Sequence, residues 1–416
     1  MSKLDELINR FCPDGVKYVK VGEVCDKITD YTAAGSFADI AKNVKYINGR
    51  KGFAQLIRTT DLKSSFIHED KFVYVDENAF NYLWRVNLDS EALVLPNVGN
   101  CGEVYYVTPD IFINNKNVLG PNAILVKSNS ANMRFLYHIF LHHEFQNNLL
   151  KITSSTGQTK FNKTNLKELK IPLPPLLVQK EIVRILDNFT ELTAELTAEL
   201  TARKKQYEYY RRNLLKCGGC VSLVELGDIA EFKYGFTDTA KIEGNAKFIR
   251  ITDILENGKL NKNENKYIDL TEESKKYLLS KGDILVARTG ATYGKTMLFN
   301  DSFPSVYASF LIRIRFKKNT ILPEYYWHFA QSSLYWQQAN KLVSKAGQPQ
   351  FNANVLKSVK IPMPSIDFQR RIVNVLDRFD ALCNDITIGL PAEIEARQKQ
   401  YEYYRDKLLT FKEKQV

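Results

Sequence analysis

The chain has 416 residues, of which 44% are hydrophobic and 12% aromatic. This length exceeds one ordinary domain core, and the composition excludes a disordered tail, a collagen-like fibre and a polytopic membrane protein. Lysine and arginine outnumber aspartate and glutamate by 58 to 47, and the net charge of +11 favours a polyanionic partner. Six scattered cysteines and the lack of a signal-peptide core predict a reducing, cytoplasmic compartment without membrane contact.

The first predicted domain covers residues 1–170. Short β-branched runs alternate there with Gly, Asn and Asp turns, as in ALVLPNVGNCGEVYYV. An aromatic stretch that reads as helix, FLYHIFLHHEFQNNLL, follows them. We expect residues 1–14 to pair with a helical region, because LINRFC near the start is similar to NLLKC after the first long helix.

Residues 171–217 form the first predicted helical region. It opens at IPLPP, where proline cannot continue a helix and instead begins the next element. Apolar residues then recur every three or four positions, which predicts an amphipathic helix of roughly 55 Å at about 1.5 Å per residue. TAEL occurs twice in tandem within TELTAELTAEL, residues 190–200. One such step would add about 6 Å to the helix.

The second half of the chain repeats the first, so residues 218–360 form a second predicted domain and 361–416 a second helical region. Residues 156–189 recur as 346–379 without a gap, and sixteen of the 34 positions are identical. The segment ARKKQYEYYRRNLLK also recurs, as ARQKQYEYYRDKLLT, with eleven of 15 positions identical. Collinear matches of this kind indicate an internal duplication.

We expect the two helical regions to pack as an antiparallel coiled coil, since their apolar stripes match in register and length. The predicted fold is α+β, with two β-rich domains alternating with two long helices about a pseudo-two-fold axis. The alternative is that each helix packs only on its own domain. The stripe of the first region consists of Val178, Ile182, Ile185, Phe189, Leu192, Leu196 and Leu200. The stripe of the second region consists of Phe368, Ile372, Val375, Phe379, Leu382, Ile386 and Leu390.

Motifs that would give the chain its own chemistry are incomplete. TGATYGKT resembles a phosphate-binding loop, but Gly290 and Gly294 enclose three residues where a Walker A motif has four. Cys217 and Cys220 have metal-ligand spacing without a second pair, so a chain reversal on glycines is the simpler interpretation. We expect no catalytic centre and no metal.

Three histidines, His138, His142 and His143, lie near one face of the aromatic helix. His328 occupies the position equivalent to His138 in the second domain. Because the histidine recurs, we favour a repeated packing or hydrogen-bonding role over a metal site.

In the order and duplication of its parts, the sequence resembles the specificity subunits of type I restriction–modification enzymes. The likeness lies in IPLPPLLVQKEIVRILDNF and IPMPSIDFQRRIVNVLDRF, in the opening FCPDGVKYVKVGEV, and in the TAEL repeats, which are similar to those of a subgroup with tandem spacer repeats. The resemblance implies a non-catalytic prokaryotic subunit for double-stranded DNA with a bipartite, asymmetric site. Each variable domain, or target recognition domain, would read one half-site, and the helices would set the spacer.

The resemblance also implies protein partners. Two methyltransferase (M) subunits would methylate adenine with S-adenosylmethionine, and restriction (R) subunits would use ATP and Mg²⁺. The chain itself would bind no cofactor. An alternative function is a duplicated protein-interaction scaffold without sequence-specific DNA binding, and a self-sufficient methyltransferase or nuclease is disfavoured by the missing motifs.

Candidate DNA-contacting residues are polar side chains that reach base edges or phosphates from loops. The recurring arginine of IRxTD is as consistent with a structural ion pair as with a phosphate contact. The candidates of the first domain are Arg58, Asn97, Asn100, Lys116, Gln158 and Lys160. The candidates of the second domain are Arg250, Arg288, Thr289, Thr292, Tyr293, Lys295, Gln348 and Gln350.

Overall fold

A computed structural model describes residues 3–154, 157–217, 221–261, 263–344 and 349–415. The chain divides into two compact units, each described by itself below. The first unit comprises Met1–Ala194 and Ala396–Val416, and the second comprises Glu195–Glu395. Both ends of the chain belong to the first unit, where Leu4 and Leu409 share one apolar core.

The elements up to the first long helix are as follows. The helices are α1 (Lys3–Phe11), α2 (Val21–Val24), α3 (Phe37–Asn43), α4 (Thr59–Lys63), α5 (Glu77–Tyr82), α6 (Met133–Leu141), α7 (His143–Ile152), α8 (Lys163–Glu168) and α9 (Leu176–Leu215). The strands are β1 (Tyr18–Lys20), β2 (Lys27–Asp30), β3 (Ile47–Asn48), β4 (Ala54–Ile57), β5 (Val73–Val75), β6 (Ala92–Pro96), β7 (Tyr105–Val107), β8 (Asn117–Leu119), β9 (Ala123–Lys127) and β10 (Lys170–Pro172).

The later elements repeat this order with fewer helices. The strands are β11 (Leu223–Glu225), β12 (Ala230–Tyr234), β13 (Ala246–Ile249), β14 (Tyr267–Ile268), β15 (Ile284–Ala287), β16 (Thr296–Leu298), β17 (Ser305–Tyr307), β18 (Leu311–Phe316) and β19 (Lys360–Pro362). The helices are α10 (Leu226–Ile229), α11 (Pro323–Ala330), α12 (Ser333–Leu342), α13 (Ala353–Lys357), α14 (Ile366–Asn384) and α15 (Leu390–Leu409).

The first unit is built on two sheets that cover each other. An antiparallel sheet has the order β2-β9-β6-β7, and a mixed sheet has the order β3-β5-β4-β8. In β6, Leu93 and Leu95 face the core that holds α6 and α9, whereas Val94 faces the second sheet. Because both faces of the strand are buried, its sequence is apolar throughout rather than alternating.

The second unit has the same plan. Its antiparallel sheet has the order β12-β18-β15-β16, and a three-stranded sheet has the order β14-β13-β17. Ile284 and Val286 of β15 face the helices, while Leu285 faces the opposite core. The expected mixture of helices and sheets is therefore confirmed in both halves of the chain.

The first long helix, α9, is continuous over 40 residues, or about 60 Å at 1.5 Å per residue. The TAEL segment lies within it. Threonine hydroxyls there donate to the carbonyl four residues earlier, at 2.8 Å from Thr193 to Phe189 and 3.0 Å from Thr201 to Thr197. The segment therefore continues the helix rather than interrupting it.

The prediction of one long helix in the second helical region is wrong. A turn separates α14 from α15, and Ile386 lies in that turn with 75% of its surface exposed. Pro391 explains the break, because proline lacks an N–H group and clashes with the carbonyl four residues earlier. It is tolerated here in the first turn of α15, just after Gly389.

The predicted stripes are correct at some positions and wrong at others. Val178 and Ile182 are buried in the core of the first unit, together with Leu186, while Ile185 is partly buried. On α14 the buried face comprises Ile372, Val373, Leu376 and Cys383. The stripe residues that are exposed are Leu192, Phe368, Val375, Leu382 and Ile386. Phe368, Val375 and Leu382 are exposed because α14 turns its apolar face toward the core of its own unit.

Candidate nucleic-acid interface

Two loops predicted to contact DNA lie side by side in the first unit. One follows β6 and covers residues 97–102, and the other covers residues 157–161 before α8. The Gly99 amide donates to the Thr159 carbonyl at 2.8 Å, and the Phe161 amide donates to the Asn97 carbonyl at 3.1 Å. These bonds bring the candidates Asn97, Asn100, Gln158 and Lys160 onto one surface.

The second unit pairs the equivalent loops in the same way. The Gly290 amide donates to the Pro349 carbonyl at 3.2 Å, and the Phe351 amide donates to the Arg288 carbonyl at 2.7 Å. The bonding pattern places Arg288 where the first unit has Asn97, and Gln350 where it has Lys160. We call the loops 97–102 with 157–161, and 288–295 with 349–351, the paired loops.

Glycine is needed in the loop that follows β6 and in the loop that follows β15. Gly99 has φ of +82° and Gly290 has φ of +72°, a region that costs other residues about 1–2 kcal/mol. The two glycines donate the equivalent amide hydrogen bonds. The structure thus aligns them directly, although the spacing to the next glycine differs between the repeats.

The side chains on the paired loops differ in how free they are. Asn100, Gln158, Lys160 and Gln350 are exposed. Asn97 instead supports the loop, because its Nδ2 donates to the Phe161 carbonyl at 3.2 Å.

Arg288 lies on the paired loops of the second unit and is half-buried. Its guanidinium lies 5.2 Å from the ring centroid of Tyr234 and 5.7 Å from that of Phe310, and both rings are more than a third exposed. Among the described residues no carboxylate pairs with Arg288, although its Nε is buried without a hydrogen-bond partner. An arginine without a carboxylate partner beside exposed rings suits phosphate or base contact.

Other candidates of this loop are already engaged. Thr289 contributes its backbone to the pairing with Gln350. The Tyr293 hydroxyl donates to Asn340 Oδ1 at 2.8 Å, and Lys295 pairs with Glu256. Three loop residues, Thr292, Tyr293 and Lys295, lie beside a cavity of about 710 Å³ in this unit.

The recurring arginines form structural ion pairs. Arg58 Nη2 lies 2.7 Å from Asp61 Oδ1, and Arg250 Nη2 lies 2.7 Å from Asp253 Oδ1. Each aspartate is nearly fully buried and also accepts from the arginine's own amide. Hydrogen bonding to the carboxylate raises the pKa of both arginines. The geometry favours the structural interpretation, and DNA contact by these residues stays a prediction.

Two further candidates lie elsewhere. The Lys116 ammonium sits 3.8 Å from the ring centroid of Phe53, beside the mixed sheet rather than on the paired loops. Gln348 falls outside the described residues.

Each unit contains a hydrogen-bond network around a buried histidine. The recurrence of the histidine in the sequence predicts such a role only in general terms. In the first unit, His138 Nε2 lies 2.9 Å from Asp187 Oδ1 and His138 Nδ1 lies 3.0 Å from the Tyr401 hydroxyl. Burial lowers the pKa of His138, so the ring is neutral near pH 7. Since Asp187 only accepts, Nε2 carries the proton and the tyrosine donates to Nδ1.

The second unit repeats this network. His328 Nε2 lies 2.8 Å from Asp377 Oδ1, and the Tyr207 hydroxyl lies 3.2 Å from His328 Nδ1. In each unit, the histidine belongs to one repeat and the tyrosine comes from the helical region of the other. The repeated QYEYY motif was the signal in the sequence that could have found these tyrosines.

Aromatic stacking also joins helices of different repeats within each unit. Phe189 stacks on Tyr404 with ring centroids 5.2 Å apart, and Phe379 stacks on Tyr210 at 5.4 Å. The two contacts occupy equivalent positions. They place two predicted stripe residues against the partner helix, and a coiled coil along the full length stays a prediction.

The motifs considered for nucleotide and metal binding lie in the following structural contexts. The loop TGATYGKT is followed by strand β16, whereas a Walker A loop opens a helix. Cys217 Sγ lies 3.7 Å from the Tyr325 hydroxyl, and Cys220 falls outside the described residues. Within the described ranges, no helix is long and apolar enough to cross a membrane.

Comparison with known proteins gives consistent matches. The family model described as "Type I restriction modification DNA specificity domain" matches residues 13–203 and again residues 221–396. A type I restriction enzyme specificity subunit of Haemophilus influenzae, S.HindORF215P, is 38% identical over 297 residues, which cover 67% of this chain and 72% of the relative.

Two further matches agree. The EcoR124I/EcoR124II specificity subunit of Escherichia coli is 38% identical over 269 residues, which cover 60% of this chain and 65% of that one. The crystal structure of the type I restriction–modification S subunit from M. genitalium aligns with a TM-score of 0.55 at 14% identity, covering 95% of this chain and 96% of that one. At this identity the structural match shows a shared fold.

Proposed function

Because the chain belongs to the type I restriction–modification DNA specificity family, it is a non-catalytic specificity subunit, and we propose that each unit reads one half of a bipartite, asymmetric DNA site. The observation that carries this proposal is the duplication of the paired loops. Equivalent backbone bonds hold them in both units, while the side chains differ, with Arg288 and Gln350 where the first unit has Asn97 and Lys160. One scaffold with two sets of side chains is what reading two different half-sites requires.

The side chains on these loops fit double-stranded DNA. Arginine and glutamine form paired hydrogen bonds to base edges, and lysine contacts phosphates. The excess of basic residues in the whole chain adds a non-specific attraction through counterion release. Family membership supports this function over a protein-interaction scaffold.

We assign the helical regions the finer roles implied by the family resemblance. The continuous TAEL segment of α9 would set the spacer between half-sites, as in the subgroup with tandem repeats, and the helices would pack as an antiparallel coiled coil. Two M subunits would dock on the chain and methylate adenine with S-adenosylmethionine, and R subunits would use ATP and Mg²⁺. A DNA substrate and these partners imply a location in the prokaryotic cytoplasm.

Modified-base sequencing tests the proposal. Cells that express this chain with its M subunit should carry methylated adenines at a split motif. The Arg288→Ala variant should relax or weaken recognition in one half only, with a loss of about 5- to 150-fold for that half, the range of one good base contact. Arg370→Ala, which removes an exposed arginine from α14, is the matched control and should leave the motif unchanged.

Other outcomes would contradict the proposal. Methylation at the same motif with the same efficiency in Arg288→Ala cells would remove the paired loop of the second unit from recognition. Methylation without a split motif would contradict the assignment of one half-site to each unit.

A further inference from the structure

Three potential metal ligands meet in the first unit, and the proposed function does not use them. They are His142, at the junction of α6 and α7, the following His143, and Asp406 of α15. One nitrogen or oxygen from each residue lies within 4.8 Å of the others. The group draws on two elements that are far apart in the sequence.

The position of His142 is unusual for a structural histidine. Only 3% of the residue is exposed, and its Nε2 has no hydrogen-bond partner among the described residues. That nitrogen lies 3.9 Å from Asp406 Oδ1, which is too far for a hydrogen bond. Buried imidazole nitrogens are normally paired, so an unpaired one near a carboxylate is available as a metal ligand.

The rest of the group completes a donor set. His143 Nδ1 lies 3.4 Å from Asp406 Oδ2, and His143 is exposed, which leaves a path for an ion to enter. Donors bound to one tetrahedral zinc ion lie about 3.4 Å apart. Arg405 Nε lies 3.3 Å from Asp406 Oδ1, the oxygen nearer His142, and so orients the carboxylate whose Oδ2 lies nearer His143.

The second unit is an internal control for this interpretation. The equivalent positions there hold Ser332, Ser333 and Arg212, none of which forms such a set. Ser332 caps α12 by accepting from the Tyr335 amide, whereas His142 makes no side-chain cap bond to α7. The fold therefore does not need histidine at this helix start, and the first unit carries it without the capping bond that serine provides.

We propose that His142, His143 and Asp406 bind a divalent transition-metal ion of the zinc class, which links the start of α7 to α15. Two imidazoles and a carboxylate are ligands that suit zinc, and the fourth position would stay open to water. Gln146, one turn further along α7, donates to the Gly102 carbonyl at 3.0 Å. The ion would thus brace the helix that supports the paired loops of the first unit.

Metal titration of the purified full chain tests this site. The protein is stripped with a chelator, desalted, and titrated with Zn²⁺ against a chromophoric competitor. We expect one tight equivalent per chain and a rise in the thermal unfolding temperature on binding. His143→Ser and Asp406→Asn should each weaken binding at least tenfold. His68→Ser removes an exposed histidine elsewhere in the same unit and should bind as the wild type does.

Cobalt distinguishes this site from the cysteines. Co²⁺ at the proposed ligands should show visible bands without the intense thiolate-to-metal band of cysteine ligation. Circular dichroism checks that each variant is folded, which His143→Ser should be because the side chain is exposed. Three outcomes would overturn the site: no binding by the wild type at micromolar zinc, equal binding by the His143 and Asp406 variants, or a thiolate band with cobalt.

Discussion

The tyrosines that reach the buried histidines should contribute measurably to stability. Tyr401→Phe removes the hydroxyl that donates to His138 Nδ1 at 3.0 Å and leaves that nitrogen unpaired inside the core. Tyr207→Phe does the same to His328 Nδ1 in the second unit. Both histidines have no exposed surface. An unsatisfied buried acceptor costs about 1–3 kcal/mol, so each variant should lose roughly that much free energy of unfolding.

The repeat supplies matched controls for these variants. Tyr403→Phe and Tyr209→Phe remove the same atom from the same motif, two residues further on, where the side chains are 61% and 65% exposed. Exposed substitutions of this kind change stability by less than about 0.5 kcal/mol. The difference between each pair therefore isolates the buried bond from the general effect of losing a hydroxyl.

Urea unfolding followed by circular dichroism measures the loss, and hydrogen exchange locates it. Exchange in α6 should accelerate with Tyr401→Phe, and exchange in α11 should accelerate with Tyr207→Phe. In thermal unfolding, each lost kcal/mol corresponds to roughly 2–4 °C for a unit of this size. If the buried and exposed variants unfold at the same urea concentration, the network does not stabilise the units and our reasoning is refuted.

Three further predictions follow from the geometry. The pKa of His138 in the folded protein lies below its unfolded value of about 6.5. The contribution of His138 to stability is therefore complete above pH 6.5 and declines as the pH falls toward the folded pKa. The urea midpoints at pH 7.5 and pH 5.5 should differ more in the wild type than in His138→Gln. Arg250→Ala strands the buried Asp253 carboxylate and should cost about 1–3 kcal/mol in urea unfolding without changing the methylated motif, whereas an altered motif would indicate DNA contact. Gly290→Ala forces a side chain into positive φ and should cost about 1–2 kcal/mol, and the same stability as the wild type would contradict the strain argument.

Much of the architecture was readable from the repeat. Two halves with aligned motifs predict two units of similar mixed fold, and each unit does combine a four-stranded antiparallel sheet with a second sheet. The family expected from the motif order is confirmed by the match over residues 13–203 and 221–396. These features depend on local pattern and order, which a single sequence carries.

The helices show where pattern reading is insufficient. The apolar residues of α14 cover a face wide enough for two stripes, and the predicted stripe is wrong at Phe368 and Val375, which are exposed. Which stripe is buried depends on the position of the helix over the core of its unit. Pro391 is the signal in the sequence for the break before α15, because proline is compatible only with the first turn of a helix.

The sequence by itself determined the duplication, the mixed fold, the family and the identity of the polar loops, because each is written in order and spacing along the chain. Only the tertiary structure decided which of those polar groups are free. Arg58 and Arg250 are held by buried aspartates, while Arg288 has no carboxylate partner among the described residues. It also brought His142 to Asp406, 264 positions later in the chain. A side chain's role depends on its neighbours in space, and those neighbours come from segments whose approach is set by the packing of the whole unit.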